Sequence, residues 1–309
     1  MIISFLFLFF LIFLPLLIEN SKKNMGETER AYAPGNFVSL SKGLVHYRWF
    51  GEKHNDLVVC VHGLTTPSFV FESLAEYYVK SGKCVLVFDN YGRGYSDRPK
   101  GKQDKEFFIN QLDELLDKLD LNKEKFELVG YSMGRAIASA YAARNPDRLK
   151  KLTLLASAGM MHNLGFLAKA AKFPIFGRFL FLLFYGLLHK RSTEKERKLI
   201  SSVPNIVERQ QNELQFKGFL PSVLASITGI LSSNSYEDHM ALKDVKFPIL
   251  AIWGGVDSII PISCKDILIS WNPKIKNIVI PLGTHSITYT HAEEIIEIVK
   301  SSSFEVNFK

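Results

Sequence analysis

A serine flanked by glycines, at the centre of the run Gly130–Gly134 (GYSMG), is the residue best placed for nucleophilic chemistry. The run follows a β-prone segment at 126–129 and precedes an alanine-rich segment that should form a helix and end near Asn145. At such a strand–turn–helix junction the serine backbone is strained, and side chains two residues away would clash across the turn. The pattern predicts a nucleophile elbow at Ser132. The alternative is an ordinary glycine-rich turn with a capping serine.

A serine hydroxyl becomes a strong nucleophile only when a base takes its proton, and that base must itself be oriented. Asp257 follows the apolar run 248–253 on a Gly-Gly turn, and His285 follows the run 277–280. His291 is a weaker base candidate because it resembles the start of the final helix. We therefore expect Asp257 and His285 to complete a triad with the serine. The alternatives are a turn aspartate that binds backbone amides and a structural histidine.

An acyl-transfer enzyme also needs two backbone N–H donors for the oxyanion of its tetrahedral intermediate. Met133, at the start of the helix, supplies one N–H group. The tripeptide His62-Gly63-Leu64 follows an apolar run at 57–61, and Gly63 lets the loop approach the serine closely. We expect the N–H of Leu64 to be the second donor and His62 to brace the loop through hydrogen bonds.

Short apolar runs alternate with helical patterns over most of the chain. Runs with the length of buried parallel strands lie at 57–61, 84–88, 126–129, 152–156, 248–253 and 277–280. Two earlier runs, at 37–40 and 44–49, flank a Lys-Gly pair and predict an antiparallel hairpin. This alternation predicts one large α/β domain with a doubly wound sheet and right-handed crossovers.

The alternation breaks between residues 159 and 242, where only helical stretches are found. We expect residues 36–158 and 243–309 to form the core and residues 159–242 to form a helical cap over the serine. The reason is that the insertion leaves the sheet at the edge where open α/β sheets place their sites. Residues 173–188 are rich in Phe and Leu. They form either the cap's own core and the wall of an apolar pocket, or a surface that dips into lipid.

Together these motifs resemble the α/β-hydrolase superfamily over nearly everything from about Val38 to Lys300. The resemblance is carried by the chain order Ser132, Asp257, His285, by the His-Gly oxyanion loop and by the loop at 89–99. The chain looks most like the capped branch that contains monoacylglycerol-lipase-like serine esterases, carbon–carbon-bond hydrolases and epoxide hydrolases. The resemblance implies a mainly parallel eight-stranded sheet with helices on both faces and an inserted helical cap. No metal or organic cofactor is implied.

One residue departs from the family pattern. The family usually has a small residue directly after the second elbow glycine, and this chain has Arg135. A bulky cation in the first helical turn could crowd the oxyanion loop or disfavour the helix N-terminus by repulsion. It could also point outward and bind an acidic neighbour or a lipid phosphate.

The N-terminal segment at 1–18 is apolar apart from Ser4 and would span about 27 Å as a helix, close to the thickness of a bilayer core. We expect an uncleaved membrane anchor followed by a polar linker at 19–35. A signal peptide, and hence a secreted form, is the alternative, although no positive start or small-x-small cleavage site is evident. Lys22 and Lys23 follow the segment, which favours a catalytic domain on the cytoplasmic side.

The formal net charge of +7 fits either a nucleic-acid binder or a protein near anionic lipid. Because the lysines are scattered and no nucleic-acid motif is present, we expect membrane association and no nucleic-acid partner. The three cysteines are too few and too far apart for a disulfide framework or a metal site.

These observations predict a serine hydrolase of carboxylic esters that forms an acyl-enzyme and acts on acyl or other apolar, lipid-like substrates. One alternative is a carbon–carbon-bond hydrolase that uses the same triad on a vinylogous diketone. A second alternative, of a different class, is a non-catalytic binding protein that retains the fold, and Arg135 is the feature that would favour it.

Overall fold

The computed structural model describes residues 13–157, 173 and 176–304. In this part of the chain the strands are β1 (Asn36–Leu40), β2 (Gly43–Phe50), β3 (Asp56–Val61), β4 (Lys83–Phe88), β5 (Phe126–Tyr131), β6 (Leu149–Leu155), β7 (Ile249–Gly254) and β8 (Lys276–Ile280). They form one eight-stranded sheet in the order β1-β2-β4-β3-β5-β6-β7-β8. Only the β1–β2 and β2–β4 pairs of this sheet are antiparallel, and the other five pairs are parallel. The predicted mainly parallel sheet, with its antiparallel hairpin, is confirmed.

Helices cover both faces of the sheet. The described helices are α1 (residues 13–20), α2 (Glu27–Arg30), α3 (Glu72–Lys80), α4 (Lys105–Lys118), α5 (Met133–Arg144), α6 (Phe176–Glu196), α7 (Ile206–Asn212), α8 (Phe219–Thr228), α9 (Tyr236–Ala241), α10 (Ser263–Trp271), α11 (Ile287–Thr290) and α12 (Ala292–Phe304). Successive strand side chains point to opposite faces, so each strand serves two cores. In β3, Val59 and Val61 pack with α4 and α5, whereas Val58 and Cys60 pack with α3 and α12.

Helices α6 to α9 lie between β6 and β7, within the predicted insertion. Buried apolar side chains of α6 and α8, among them Phe181, Phe219 and Val223, join the same core as α5. The opposite side of α6 exposes Phe184 and Leu187, so the helix has one side in the core and one side toward solvent. Residues 159–172, the first part of the predicted cap, lie outside the described residues. The boundaries of core and cap stay a prediction.

The N-terminal segment does not behave as predicted. Among the described residues no helix is long and apolar enough to cross a membrane, and this overturns the prediction of a membrane-spanning anchor at residues 1–18 and of a membrane location. Residues 1–12 lie outside the described part of the chain. The helical residues 13–20 span only about 12 Å.

The end of α1 is bound to the inserted segment. The buried Glu19 carboxylate accepts a hydrogen bond from the Gly218 N–H at 2.6 Å and lies 2.7 Å from Lys22 Nζ. The predicted linker at 19–35 continues these contacts, because the N–H of Lys23 donates to the carbonyl of Gln215 at 3.1 Å. Residues 19–23 are therefore joined to the inserted segment by polar contacts, which the apolar composition of residues 1–18 does not indicate.

Candidate active site

Ser132 stands at the tip of the turn between β5 and α5. Its backbone has φ +54° and ψ −118°, a left-handed φ that costs on the order of 1–3 kcal/mol in a non-glycine residue. The Ser132 N–H donates to the carbonyl of Leu155 in the neighbouring strand at 2.9 Å. The strained conformation is therefore held by the sheet, and it turns the hydroxyl away from the backbone.

The two elbow glycines are required by close backbone approaches. A Cβ atom on Gly134 would lie 2.0 Å from the carbonyl oxygen of Val61, and one on Gly130 would lie 2.5 Å from the oxygen of Gly134. Both distances are far below van der Waals contact. The helix α5 can therefore start directly against β3, which places Ser132 beside the loop that follows that strand.

The structure brings Ser132, His285 and Asp257 together from three separate strand ends. The Nε2 atom of His285 lies 2.9 Å from the Ser132 Oγ, and its Nδ1 atom lies 2.8 Å from the Asp257 Oδ2. A carboxylate can only accept hydrogen bonds, so it places the imidazole proton on Nδ1 and leaves the Nε2 lone pair facing the serine hydroxyl. This arrangement can take a proton from the serine.

Further hydrogen bonds hold Asp257 and His285 in place. The second oxygen of Asp257, Oδ1, accepts hydrogen bonds from the N–H groups of Ile259 at 2.7 Å and Ile260 at 2.8 Å. The Tyr131 hydroxyl, one residue before the serine, donates to the carbonyl of His285 at 3.1 Å. The Asp257 side chain is 2% exposed and that of His285 20% exposed, so the pair is shielded while the imidazole stays accessible.

The loop after β3 passes directly beside the serine. A Cβ on Gly63 would lie 3.2 Å from the Cβ of Ser132, so the loop that carries Leu64 passes next to the Ser132 side chain. Met133 is the first residue of α5, and the first N–H groups of a helix have no acceptor within it. These are the two positions that the sequence analysis assigned to the oxyanion donors.

The buried His62 braces this loop, as expected. Its Nδ1 atom donates to the carbonyl of Gly63 at 2.9 Å, and its Nε2 atom accepts from the N–H of Asn90 at 2.8 Å. A ring nitrogen that accepts must be deprotonated, so the imidazole is neutral. Burial lowers the pKa of His62 to about 4, which is consistent with a neutral, structural histidine.

Comparison with known proteins identifies the family. Residues 56–292 match the family model described as alpha/beta hydrolase fold. The chain belongs to the α/β-hydrolase fold family. Among solved structures, the enol-lactonase from Burkholderia xenovorans LB400 matches this hydrolase with a TM-score of 0.69 and 19% identity, covering 86% of this chain and 98% of that one. At this identity the likeness concerns the fold alone.

Two curated relatives match parts of the hydrolase. The cis-3-alkyl-4-alkyloxetan-2-one decarboxylase of Shewanella oneidensis is 34% identical over 130 residues, which are 41% of this chain and 39% of the relative. Monoacylglycerol lipase abhd6-B of Xenopus laevis is 26% identical over 180 residues, 52% of this chain and 49% of that one. The hydrolase thus spans less than half the length of either relative.

Arg135 does not point outward. It is completely buried, and the charged or polar groups that act on it include Asp238 of α9 and Cys264 of α10. Burial lowers the pKa of the Arg135 guanidinium to about 10, and the charge of Asp238 opposes this shift. The acidic neighbour considered from the sequence is therefore present, whereas a surface contact with a lipid phosphate is excluded by the burial of Arg135.

Sequence reasoning missed a polar network next to the site. The buried Gln210 of α7 donates through Nε2 to the Thr66 hydroxyl at 3.2 Å and to the Tyr289 hydroxyl at 3.3 Å. Thr66 lies two residues after Leu64, and Tyr289 lies four residues after His285. No local pattern could have signalled this network, because its members come from three distant segments.

Proposed function

We propose that this hydrolase cleaves carboxylic esters through an acyl-enzyme formed on Ser132. The observation that carries the proposal is the continuous hydrogen-bonded chain from Ser132 Oγ through His285, at 2.9 Å, to Asp257, at 2.8 Å. In this proposal Ser132 is the nucleophile, His285 is the general base and acid, and Asp257 orients the imidazole.

The reaction would proceed in two halves. His285 Nε2 takes the Ser132 proton as Oγ attacks the acyl carbon, and the N–H groups of Leu64 and Met133 bind the resulting oxyanion. The intermediate collapses, the bond to the alcohol oxygen breaks, and His285 returns the proton to that oxygen. A water molecule, deprotonated by His285, then attacks the acyl-enzyme and releases the carboxylic acid and free Ser132.

The proposed substrates are acyl or lipid-like apolar esters, and residues 159–242 are proposed to form a cap over the site. Two observations support this. The inserted helices α6 and α8 are apolar on their buried sides, and Gln210 of α7 contacts Thr66 beside the oxyanion loop. Two similar proteins are named for ester substrates, a lipid ester in the monoacylglycerol lipase and a cyclic ester in the enol-lactonase.

Replacement of the nucleophile tests the proposal. We expect Ser132→Ala to abolish labelling by a fluorophosphonate probe and to lower the esterase rate by about 10⁴-fold or more. Ser139→Ala is the matched control, since Ser139 is a buried serine further along the same helix, and it should keep both signals. Undiminished ester hydrolysis by Ser132→Ala would refute the proposal.

A substrate panel then defines the reaction class. In a panel of esters with short to long acyl chains, the enzyme should cleave esters, and its preference reports the acyl length that the site accepts. If a vinylogous diketone were hydrolysed faster than any ester, the proposed reaction would be carbon–carbon-bond cleavage rather than ester cleavage. If the wild-type chain did not react with the fluorophosphonate probe, the result would favour a non-catalytic binding protein with this fold.

A further inference from the structure

Arg93 is a fully buried arginine in the loop that follows β4. Its Nε–H donates to the carbonyl of Leu64 at 2.9 Å. Its Nη1 group donates to the carbonyl of Tyr91 at 3.0 Å and to the Gln103 side-chain oxygen at 2.6 Å. Three of its contacts therefore tie the loop at 89–103 together and join it to the proposed oxyanion loop.

The remaining N–H groups of Arg93 reach the inserted helix α8. Its Nη2 group donates to the Ser226 hydroxyl at 2.8 Å and to the carbonyl of Ser222 at 3.3 Å. The Ser226 hydroxyl in turn donates to the Gln103 side-chain oxygen at 2.6 Å. A Cβ on Gly92 would lie 2.3 Å from the side chain of Ser222, so the loop and α8 are interlocked.

These five contacts use all five N–H groups of the guanidinium, and every acceptor is neutral. Burial of a cation without a hydrogen-bonded carboxylate is costly, and a neutral side chain of similar volume would avoid that cost. Burial lowers the pKa of Arg93 to about 9, so the group still keeps its proton at neutral pH. The rigid fork of donors is the property that a neutral residue cannot supply.

We propose that Arg93 is a positioning residue that uses α8 as its support to fix Leu64, so that the Leu64 N–H is aimed at the oxyanion. The carbonyl and the amide of Leu64 share one Cα, so a carbonyl held by Arg93 restricts the direction of the amide. The inference rests on the proposed function, in which that amide binds the oxyanion. It also links the position of an inserted helix to the transition state, because the same side chain contacts both.

The test compares Arg93→Met with Arg98→Met. Arg98 is a second arginine of the same loop, with a side chain that is 6% exposed, and it bonds the carbonyls of Gly94 and Ser96 rather than Leu64. Activity is expressed per active site titrated with the fluorophosphonate, which removes the contribution of unfolded protein. Arg93→Met should lower kcat by about 10- to 100-fold with KM within about threefold, as expected for a misaimed oxyanion donor.

A boronic acid that mimics the tetrahedral intermediate gives a second readout. Its inhibition constant should rise in Arg93→Met by the same factor as kcat falls, because both report on the oxyanion site. Arg98→Met should change kcat per site by less than about threefold, whatever it does to stability. If Arg93→Met does not fold, Arg93→Lys decides, since a single ammonium cannot span Leu64 and α8 and should lower kcat about tenfold.

The inference is overturned if the wild-type enzyme is active and its Arg93 variants have the same kcat per titrated site. It is also overturned if the variants change only KM. Absence of Ser132-dependent activity in the wild-type enzyme is a different result, which defeats the proposed function and this inference together.

Discussion

The hydroxyl of Tyr289 donates a hydrogen bond to the carboxylate of Glu196 at 2.6 Å. Glu196 is the last residue of the inserted helix α6, and Tyr289 lies four residues after His285. The same hydroxyl oxygen lies 2.8 Å from the Ser286 Oγ and accepts from Gln210. One phenol group therefore joins the insertion to the segment that carries the proposed base.

Tyr289→Phe should destabilise the protein because it leaves the partners of the hydroxyl unsatisfied. We expect the free energy of unfolding, measured in urea at pH 7, to fall by about 1–3 kcal/mol. The exposed Tyr236 provides the control, and Tyr236→Phe should change this quantity by less than about 0.5 kcal/mol. A double-mutant cycle with Glu196→Gln should give a coupling energy of about 0.5–3 kcal/mol, and strict additivity would contradict the link.

Asp257→Asn should damage catalysis far more than folding. The amide oxygen would keep the hydrogen bonds from the Ile259 and Ile260 N–H groups, so the NH₂ group would face His285. An NH₂ donor there forces the imidazole proton onto Nε2, which can then no longer take the Ser132 proton. We expect kcat per titrated site to fall by about 10³- to 10⁴-fold.

The control for this variant is Asp266→Asn, an exposed aspartate on α10 that contacts Lys265, and it should keep full activity. A loss of less than about tenfold in Asp257→Asn would remove the acid from the proposed mechanism.

Glu213 should make stability fall as the pH rises toward neutrality. Burial raises the pKa of Glu213 to about 7, an effect that Arg98 opposes and Asp89 reinforces. In the unfolded chain the carboxyl titrates near 4.5, so the folded state holds the proton more tightly. The resulting stabilisation is complete below the unfolded pKa and is lost as the pH rises through the folded pKa, by up to about 3 kcal/mol.

Glu213→Gln isolates this titration, because the amide keeps an oxygen for the Gly94 N–H that lies 2.9 Å from the carboxylate. We expect the free energy of unfolding of the wild type to decline relative to the variant between the two pKa values and to run parallel above them. Urea unfolding at pH values from about 4.5 to about 8 measures the difference. A difference that stays constant over this range would show that Glu213 titrates normally.

Two glycines in helices should respond in opposite ways to alanine. Gly134→Ala would drive a methyl group into the Val61 carbonyl, 2.0 Å away, and we expect a loss of more than about 2 kcal/mol in unfolding free energy or no folded protein. Gly186 lies in α6, where a Cβ would meet leucine side chains at 3.6 and 3.7 Å. Gly186→Ala should therefore stabilise by up to about 1 kcal/mol. Thermal unfolding of both variants measures these changes in stability. Equal changes in the two variants would contradict the steric explanation for Gly134.

Much of the fold was predictable because buried strands and tight turns leave local patterns. The apolar run at 57–61 predicted β3, and the glycines at 130 and 134 predicted the elbow. Each of these patterns has a physical cause within a few residues of the chain. Asp257 and His285 could be placed at strand ends because parallel strands share one carboxyl edge. His285 contacts Ser132 and Asp257 contacts His285, and the roles of both residues are proposed.

The remaining features depend on contacts between distant segments. Arg93 lies in the loop at 89–99, and no local pattern indicates that Leu64 and α8 surround it. Glu19 likewise binds the N–H of Gly218, and the apolar run at 1–18 gives no sign of that partner. Sequence pattern reports which face is apolar, whereas these polar contacts depend on the tertiary arrangement.

Ser132 and His285 follow strands that have unequal numbers of neighbours in the sheet. β5 is flanked by β3 and β6, whereas β8 is an edge strand of the described sheet and pairs only with β7. Local opening requires less free energy where fewer neighbours must be released. On warming, His285 should therefore drift out of reach while Ser132 is still held in its elbow. The enzyme would then lose activity at a temperature where most of its structure is still folded. Cooling would restore the activity.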